Sequence, residues 1–273
     1  MTRAFSARRM TSAWSASWPT ARRDRSTRIR LLQGYERNLR RRAAFVARRA
    51  DWLQRSATVR SPLNRPRRLE IDVPDARSGY VDLPHGGRLF VHDLAGPPGA
   101  KTLILLHGWG GTAAGNWATA MPTLAGHFRV IAPDLRGHDI GSVDDIIELA
   151  DALGVERFIA VGYSLGSAVA AQVARRHPDR TQAIVLCAAA GVSAPAAVTH
   201  SDTEIPTAVV VTRQDRLIPA WRQLELARSL PGASVHSVEG NHFAFSRYDV
   251  FVPVLLEACH SVARRIDHQH ATP

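Results

Sequence analysis

The sequence predicts an α/β fold, a mostly parallel sheet of eight strands with helices on both faces. Three observations predict it. Past residue 79, short apolar runs alternate with helix-like segments. The inner runs are apolar throughout, as strands buried on both faces must be. At one junction of an apolar run with a helical one stands Gly162-Tyr163-Ser164-Leu165-Gly166, the pattern of a sharp strand-to-helix turn.

Residues 1–28 are rich in Arg, Ser and Thr and read as a disordered basic tail. In the following stretch Ile29, Leu32, Tyr35, Leu39, Ala43, Val46, Ala50 and Leu53 recur three or four apart, with most arginines off that stripe. This is the period of an amphipathic helix. Residues 61–68, with Pro62, Pro66 and the pair Arg67-Arg68 in quick succession, read as a linker. Residues 1–68 hold 19 arginines and three acids, a balance of +16, which leaves −5 for the rest of a chain whose net charge is +11. A mildly acidic domain thus follows a very basic segment. The helix in 29–55 has two readings. The favoured one packs its stripe on the acidic domain. The other lays it on an anionic membrane surface. Nucleic acid is disfavoured as a partner, since no recognition motif accompanies the charge.

Strands are expected at 80–83, 89–92, 102–107, 129–133, 157–163, 183–188, 207–212 and 234–238. His85-Gly86-Gly87 joins the first two as a hairpin, so the sheet starts antiparallel. Helices are expected at 117–127, 143–153, 167–177, 220–230 and 250–264. The domain assignment is a tail at 1–28, a helix and linker at 29–68, and one catalytic-type domain at 69–273. Cys187 and Cys259 sit in apolar runs and read as buried small hydrophobes, with no disulfide framework or metal-ligand spacing. No apolar run approaches the ~20 residues that span a bilayer. No apolar h-region follows Arg8-Arg9, which argues against a secretory signal. The cytoplasm is the expected compartment, with peripheral membrane attachment through the basic helix as a second option.

A serine hydroxyl needs a base, a group that orients the base, and donors for the oxyanion. An acid, Asp215, follows the apolar run 207–212. His242 follows the run 234–238, in a loop containing Gly240. Catalytic groups of open α/β sheets gather at the carboxyl ends of strands, so Ser164, Asp215 and His242 can converge there. Asp202 competes with Asp215. His236, His200 and His260 compete with His242, although His236 falls inside a strand and His260 inside a helix. His107 and His138 read as loop-structuring residues and Asp134 as a turn-forming acid. Trp109, Trp117 and Tyr163 could line a pocket or pack in the core, with Trp109 and Tyr163 the candidate substrate-binding pair. No metal or organic cofactor is needed.

Taken together, these residues resemble the α/β-hydrolase superfamily. The resemblance covers about residues 79–265 and rests on His107-Gly108-Trp109-Gly110, on 132–138 (Ala-Pro-Asp-Leu-Arg-Gly-His), on Gly162-Tyr163-Ser164-Leu165-Gly166, on Asp215 with Pro219, and on Gly240-Asn241-His242. It is nearest to small bacterial esterases, C–C hydrolases and cofactor-free haloperoxidases. The resemblance implies Ser164 as nucleophile, His242 as base and Asp215 as acid, with the backbone N–H groups of Trp109 and Leu165 as oxyanion hole. It implies a carboxylic ester as substrate, with C–C hydrolysis or perhydrolysis as alternatives. A non-catalytic protein that binds a membrane or partner through its basic helix is the rival from another class. The chain departs from the family pattern where a helical cap is usual, since only residues 191–206 join the strands on either side. It also has Asp139-Ile140-Gly141-Ser142 after Gly137-His138, and Arg213 where Gly is common. It therefore resembles a trimmed member with little or no cap and an open site.

Overall fold

A computed structural model of the protein describes residues 73–136, 142–189, 199–200 and 203–271, and of residues 142, 199, 200, 203, 204 and 270 the backbone alone. The tail, basic helix and linker expected in residues 1–68 lie outside the described residues, as do Gly137, His138 and Asp202.

The first two strands, β1 (Arg77–Asp82) and β2 (Arg88–Leu94), form an antiparallel hairpin. Its turn closes through Gly86 N–H donating to Leu83 O and Leu83 N–H donating to Gly87 O. Next come β3 (Thr102–Leu106), the short helices α1 (Ala113–Trp117) and α2 (Met121–Ala125), and β4 (Arg129–Pro133). Then follow α3 (Ser142–Ala152), β5 (Phe158–Tyr163), α4 (Leu165–Arg176) and β6 (Thr181–Cys187). A small antiparallel pair, β7 (Thr199–His200) and β8 (Thr203–Glu204), precedes β9 (Thr207–Thr212). The chain ends with α5 (Ala220–Ser229), β10 (Ser234–Val238), a one-turn 3-10 helix (Ala244–Ser246) and α6 (Tyr248–Ala271).

Eight strands form the main sheet in the order β1-β2-β4-β3-β5-β6-β9-β10. β2 runs antiparallel to β1 and β4, and every pairing from β4 to β10 is parallel. Side chains alternate between two cores, as the strand period of two requires. Leu103, Leu105, Ile159, Val161, Ala208 and Val210 meet α1, α2 and α6 on one face. Ile104, Leu106, Phe158, Ala160, Val209 and Val211 meet α3, α4 and α5 on the other. Each such aliphatic side chain contributes about 1.5–3 kcal/mol by leaving water. The sheet is therefore covered on both faces, and ligands can approach its polar groups only at the strand ends.

The β7–β8 pair was not among the expected strands, and two helices differ markedly from the sequence expectation. The single helix expected at 117–127 is two short ones. Thr112 caps the first, its hydroxyl oxygen accepting the Gly115 N–H at 3.0 Å. Pro122 then starts the second at a position where the missing N–H costs nothing. The last helix is longer than 250–264, because its buried stripe (Phe251, Leu255, Cys259, Val262) continues to Ile266. No helix among the described residues is long and apolar enough to cross a membrane.

Candidate active site

Ser164 stands between β5 and α4 with φ 53° and ψ −114°. A non-glycine residue at positive φ is strained and needs surrounding structure to hold it. Here the Ser164 N–H donates to Cys187 O at 2.9 Å. The Ser167 hydroxyl donates to Gly162 O and Cys187 O, which ties the turn to β6. The flanking glycines are required by packing. A Cβ on Gly162 would lie 2.2 Å from Gly166 O, and one on Gly166 would lie 2.1 Å from Leu106 O. Strand and helix can approach this closely only without side chains.

His242 lies in the loop after β10, with Nε2 3.0 Å from Ser164 Oγ and Nδ1 2.7 Å from Asp215 Oδ2. Asp215 follows β9, and its side chain is fully buried. Burial pushes its carboxyl pKa up. The hydrogen bond from His242, the Ile218 N–H and the Thr212 hydroxyl outweigh that, and the net shift is below the ordinary value. Asp215 is thus ionised and accepts only. It follows that His242 carries its proton on Nδ1, leaving Nε2 to accept from the Ser164 hydroxyl.

Asp215 is held on every side. Its Oδ1 accepts the N–H groups of Leu217 at 2.8 Å and Ile218 at 2.9 Å. Its Oδ2 accepts the Thr212 hydroxyl at 2.9 Å. Gln223, fully buried on α5, locks Thr212: its Nε2 donates to the hydroxyl oxygen at 2.9 Å and its Oε1 accepts the Thr212 N–H at 3.1 Å. The His242 loop is held too. The Tyr163 hydroxyl donates to His242 O at 3.0 Å, and its ring meets those of His242, Trp117, Phe245 and Phe251 edge-on. Burial raises the Tyr163 hydroxyl pKa far above its ordinary value, so it stays protonated and donates.

The loop after β3 packs against the serine, with a Cβ on Gly108 falling 3.4 Å from Ser164 Cβ. Asn116 of α1 fixes this loop by accepting the Gly108 N–H at 2.8 Å. His107 fixes it from the other side. Its Nε2 accepts the Leu135 N–H at 2.9 Å, which leaves the proton on Nδ1 to donate to Gly108 O at 2.9 Å. Asp134 accepts the Ala113 N–H and so anchors α1. Trp109 follows Gly108 and is half-exposed. Leu165 is the first residue of α4, where an N–H has no intrahelical acceptor.

Tyr163 is only 1% exposed, so the expectation that it touches substrate is corrected: it is a core residue that braces the histidine loop. Trp117 is likewise core. Two of the competing histidines lie elsewhere, and the side chain of the third, His200, is outside the described residues. His236 sits among Ser234 and Ser261, and His260 packs on His127 and Phe128. Sequence reasoning missed Asn116, Thr212 and Gln223. Their roles depend on contacts between α1 and the β3 loop, and between β9 and α5. Thr212 and Gln223 did stand close to Asp215 in the chain, the one available hint. An open cleft of about 570 Å³, bordered by Asp75, Arg77, Asp93 and Arg129, lies at the opposite end of the sheet. Its Arg129 and Asp93 neutralise each other, and no serine or histidine lines it.

The family model described as alpha/beta hydrolase fold matches residues 101–205. That span carries β3 to β6, the loop after β3 and the Ser164 turn. This chain has the α/β-hydrolase fold. Among its curated relatives, the 2-hydroxymuconate semialdehyde hydrolase of Pseudomonas sp. (strain CF600) is 39% identical over 125 residues, 40% of this chain and 43% of that protein. The pimeloyl-[acyl-carrier protein] methyl ester esterase of Edwardsiella ictaluri (strain 93-146) is 36% identical over 96 residues, 33% of this chain and 37% of that protein. The matched parts thus span less than half the length of either relative. Among solved structures, the enol-lactonase from Burkholderia xenovorans LB400 superposes with a TM-score of 0.56 at 19% identity, covering 67% of this chain and all of that one.

Proposed function

We propose that this α/β-hydrolase is a serine hydrolase that cleaves a carboxylic ester through an acyl-enzyme on Ser164. One observation carries the reading: a continuous line of hydrogen bonds from Asp215 through His242 to the Ser164 hydroxyl. In the first step His242 Nε2 takes the hydroxyl proton as Oγ attacks the ester carbonyl. Asp215 holds the imidazolium that forms. The backbone N–H groups of Trp109 and Leu165 receive the oxyanion, one from each side of the serine. His242 then protonates the departing alcohol, and water repeats the sequence to release the acid. Every atom in this scheme comes from the chain, the ester and water.

C–C bond hydrolysis is the second reading, favoured by the 39% identity to a 2-hydroxymuconate semialdehyde hydrolase. It uses the same oxyanion donors with a carbanion as leaving group. Hydrolysis of p-nitrophenyl esters from acetate to dodecanoate, for the wild type beside Ser164→Ala, tests the proposal. Turnover by the wild type that disappears in the variant supports it. A folded wild type that neither turns over esters nor reacts with a fluorophosphonate rules it out. Decay of 2-hydroxymuconate semialdehyde, run in parallel, decides between the two chemistries. We assign residues 69–273 as the hydrolase domain and residues 1–68 as an appendage, in a cytoplasmic protein.

A further inference from the structure

Seven large apolar side chains are exposed among the described residues, and four of them lie in segments that follow the carboxyl ends of β3, β9 and β10: Trp109 (42%), Leu217 (65%), Trp221 (59%) and Phe243 (63%). Single exposed apolar residues are ordinary; a group of them at one end of a sheet is not. Their placement follows from the bonds that build the site. Trp109 adjoins Gly108, which packs on Ser164. Leu217 donates its N–H to Asp215. Phe243 follows His242, with ring centroids 6.0 Å apart. Trp221 lies in the first turn of α5, just past the Asp215 loop. All four residues therefore lie at the carboxyl ends of the strands.

The charge around them has a sign. Residues 216–222 read Arg-Leu-Ile-Pro-Ala-Trp-Arg, with two arginines and no acid. Arg222 lies over the Trp221 ring, 5.2 Å from its centroid. Of the acids nearby, Glu239 and Asp249 are engaged by Arg213 and Arg247, and Glu225 lies one turn along α5 from Trp221. Exposed Trp and Leu between arginines suit a boundary where hydrocarbon meets anionic headgroups: tryptophan rings prefer that depth, and arginine meets the phosphates.

We propose that this rim docks the Ser164 end of the sheet onto an anionic lipid surface, so that Ser164 faces esters presented from the bilayer. The inference rests on the reading of Ser164 as a nucleophile. In it, Leu217 and Trp221 enter the headgroup boundary while Arg216 and Arg222 hold the phosphates. Because these residues share the carboxyl end of the sheet with Ser164, docking would bring the hydroxyl to the lipid surface.

The test uses the full chain, whose native Cys187 and Cys259 are both buried, so that a new surface cysteine can be labelled selectively. Leu217→Cys and, at the opposite end of the sheet, Asp179→Cys each receive an environment-sensitive nitrobenzoxadiazole dye. Each is mixed with vesicles of phosphatidylcholine, alone or with phosphatidylglycerol. The expected result is a several-fold brightening and blue shift at position 217 with the anionic vesicles alone, and no change at position 179. In the Arg216→Ser/Arg222→Ser variant, vesicle affinity falls about fivefold per arginine, while turnover of soluble p-nitrophenyl acetate is unchanged. Equal responses at 217 and 179, a silent 217 on protein that still floats with vesicles, or an equal response to pure phosphatidylcholine would overturn docking through the rim. The second of these outcomes would assign attachment to the basic N-terminal segment. Loss of soluble-ester turnover in the wild type would remove the nucleophile reading without altering what the dyes report.

Discussion

The two ends of the central sheet use polar residues in opposite ways. Where the parallel strands begin, full charges pair across the surface: Arg129 with Asp93, Lys101 with Asp267, Arg180 with Asp151. Where they end, ion pairs such as Arg213 with Glu239 stay at the surface, and beneath them lie buried polar groups without charge, His107, Asn116, Thr212 and Gln223, around the anion Asp215. Ion pairs near water are each worth little and tolerate change. Buried hydrogen bonds are directional, and breaking one leaves a stranded group that costs about 1–3 kcal/mol. The first end fixes position loosely by charge. The second fixes the direction of single lone pairs, which a proton transfer requires.

Substitutions at the two ends sharpen that contrast. Ser164→Ala should lower kcat on p-nitrophenyl esters by about a million-fold and leave the melting temperature nearly unchanged, as steady-state kinetics and calorimetry would record. Asp215→Asn should cost about ten-thousand-fold in kcat, because the amide favours the wrong tautomer of His242. It also has a pH signature. The folded pKa of Asp215 is depressed, so the carboxylate contributes stability above the unfolded value of about 4, and that contribution is lost as pH falls through the lower folded value. The gap in melting temperature between wild type and Asp215→Asn should therefore narrow on acidification below about pH 4.

A smaller effect is expected from Tyr163→Phe, which removes one hydrogen bond to the His242 carbonyl. We expect about a tenfold drop in kcat with KM unchanged, because the hydroxyl positions the loop and does not meet substrate. An equal change in KM would return Tyr163 to the binding surface. The smallest effect on turnover belongs to the other end. Arg129→Gln should cost about 1 kcal/mol of stability in a urea melt and leave turnover intact. If it impairs turnover as Asp215→Asn does, the two ends do not differ as described.

The fold was legible because its signals are local. The apolar runs of β4, β9 and β10 match the strand bounds residue for residue. Ser164, His242 and Asp215 could be named because each ends a strand in a short loop, and the chain order is informative by itself. The hydrogen bonds that aim them were not legible. Gln223 reads as an ordinary polar residue on α5 until the helix is laid against β9, and Asn116 until α1 meets the loop after β3. The two helices at 113–117 and 121–125 were read as one at 117–127 although Thr112 marks the start of the first and Pro122 that of the second, since the apolar period across the break favours one helix.

The glycines at 162 and 166 leave a final consequence. They are set by the contact of one main chain with another, and neither touches the reacting atoms. A descendant that lost His242 or Asp215 would need them as much as this chain does. The pattern around Ser164 is therefore inherited as architecture, and it would outlive the reaction by as long as the fold itself persists. In a chain built this way, motif and chemistry can part company, and only the histidine and the acid record whether they have.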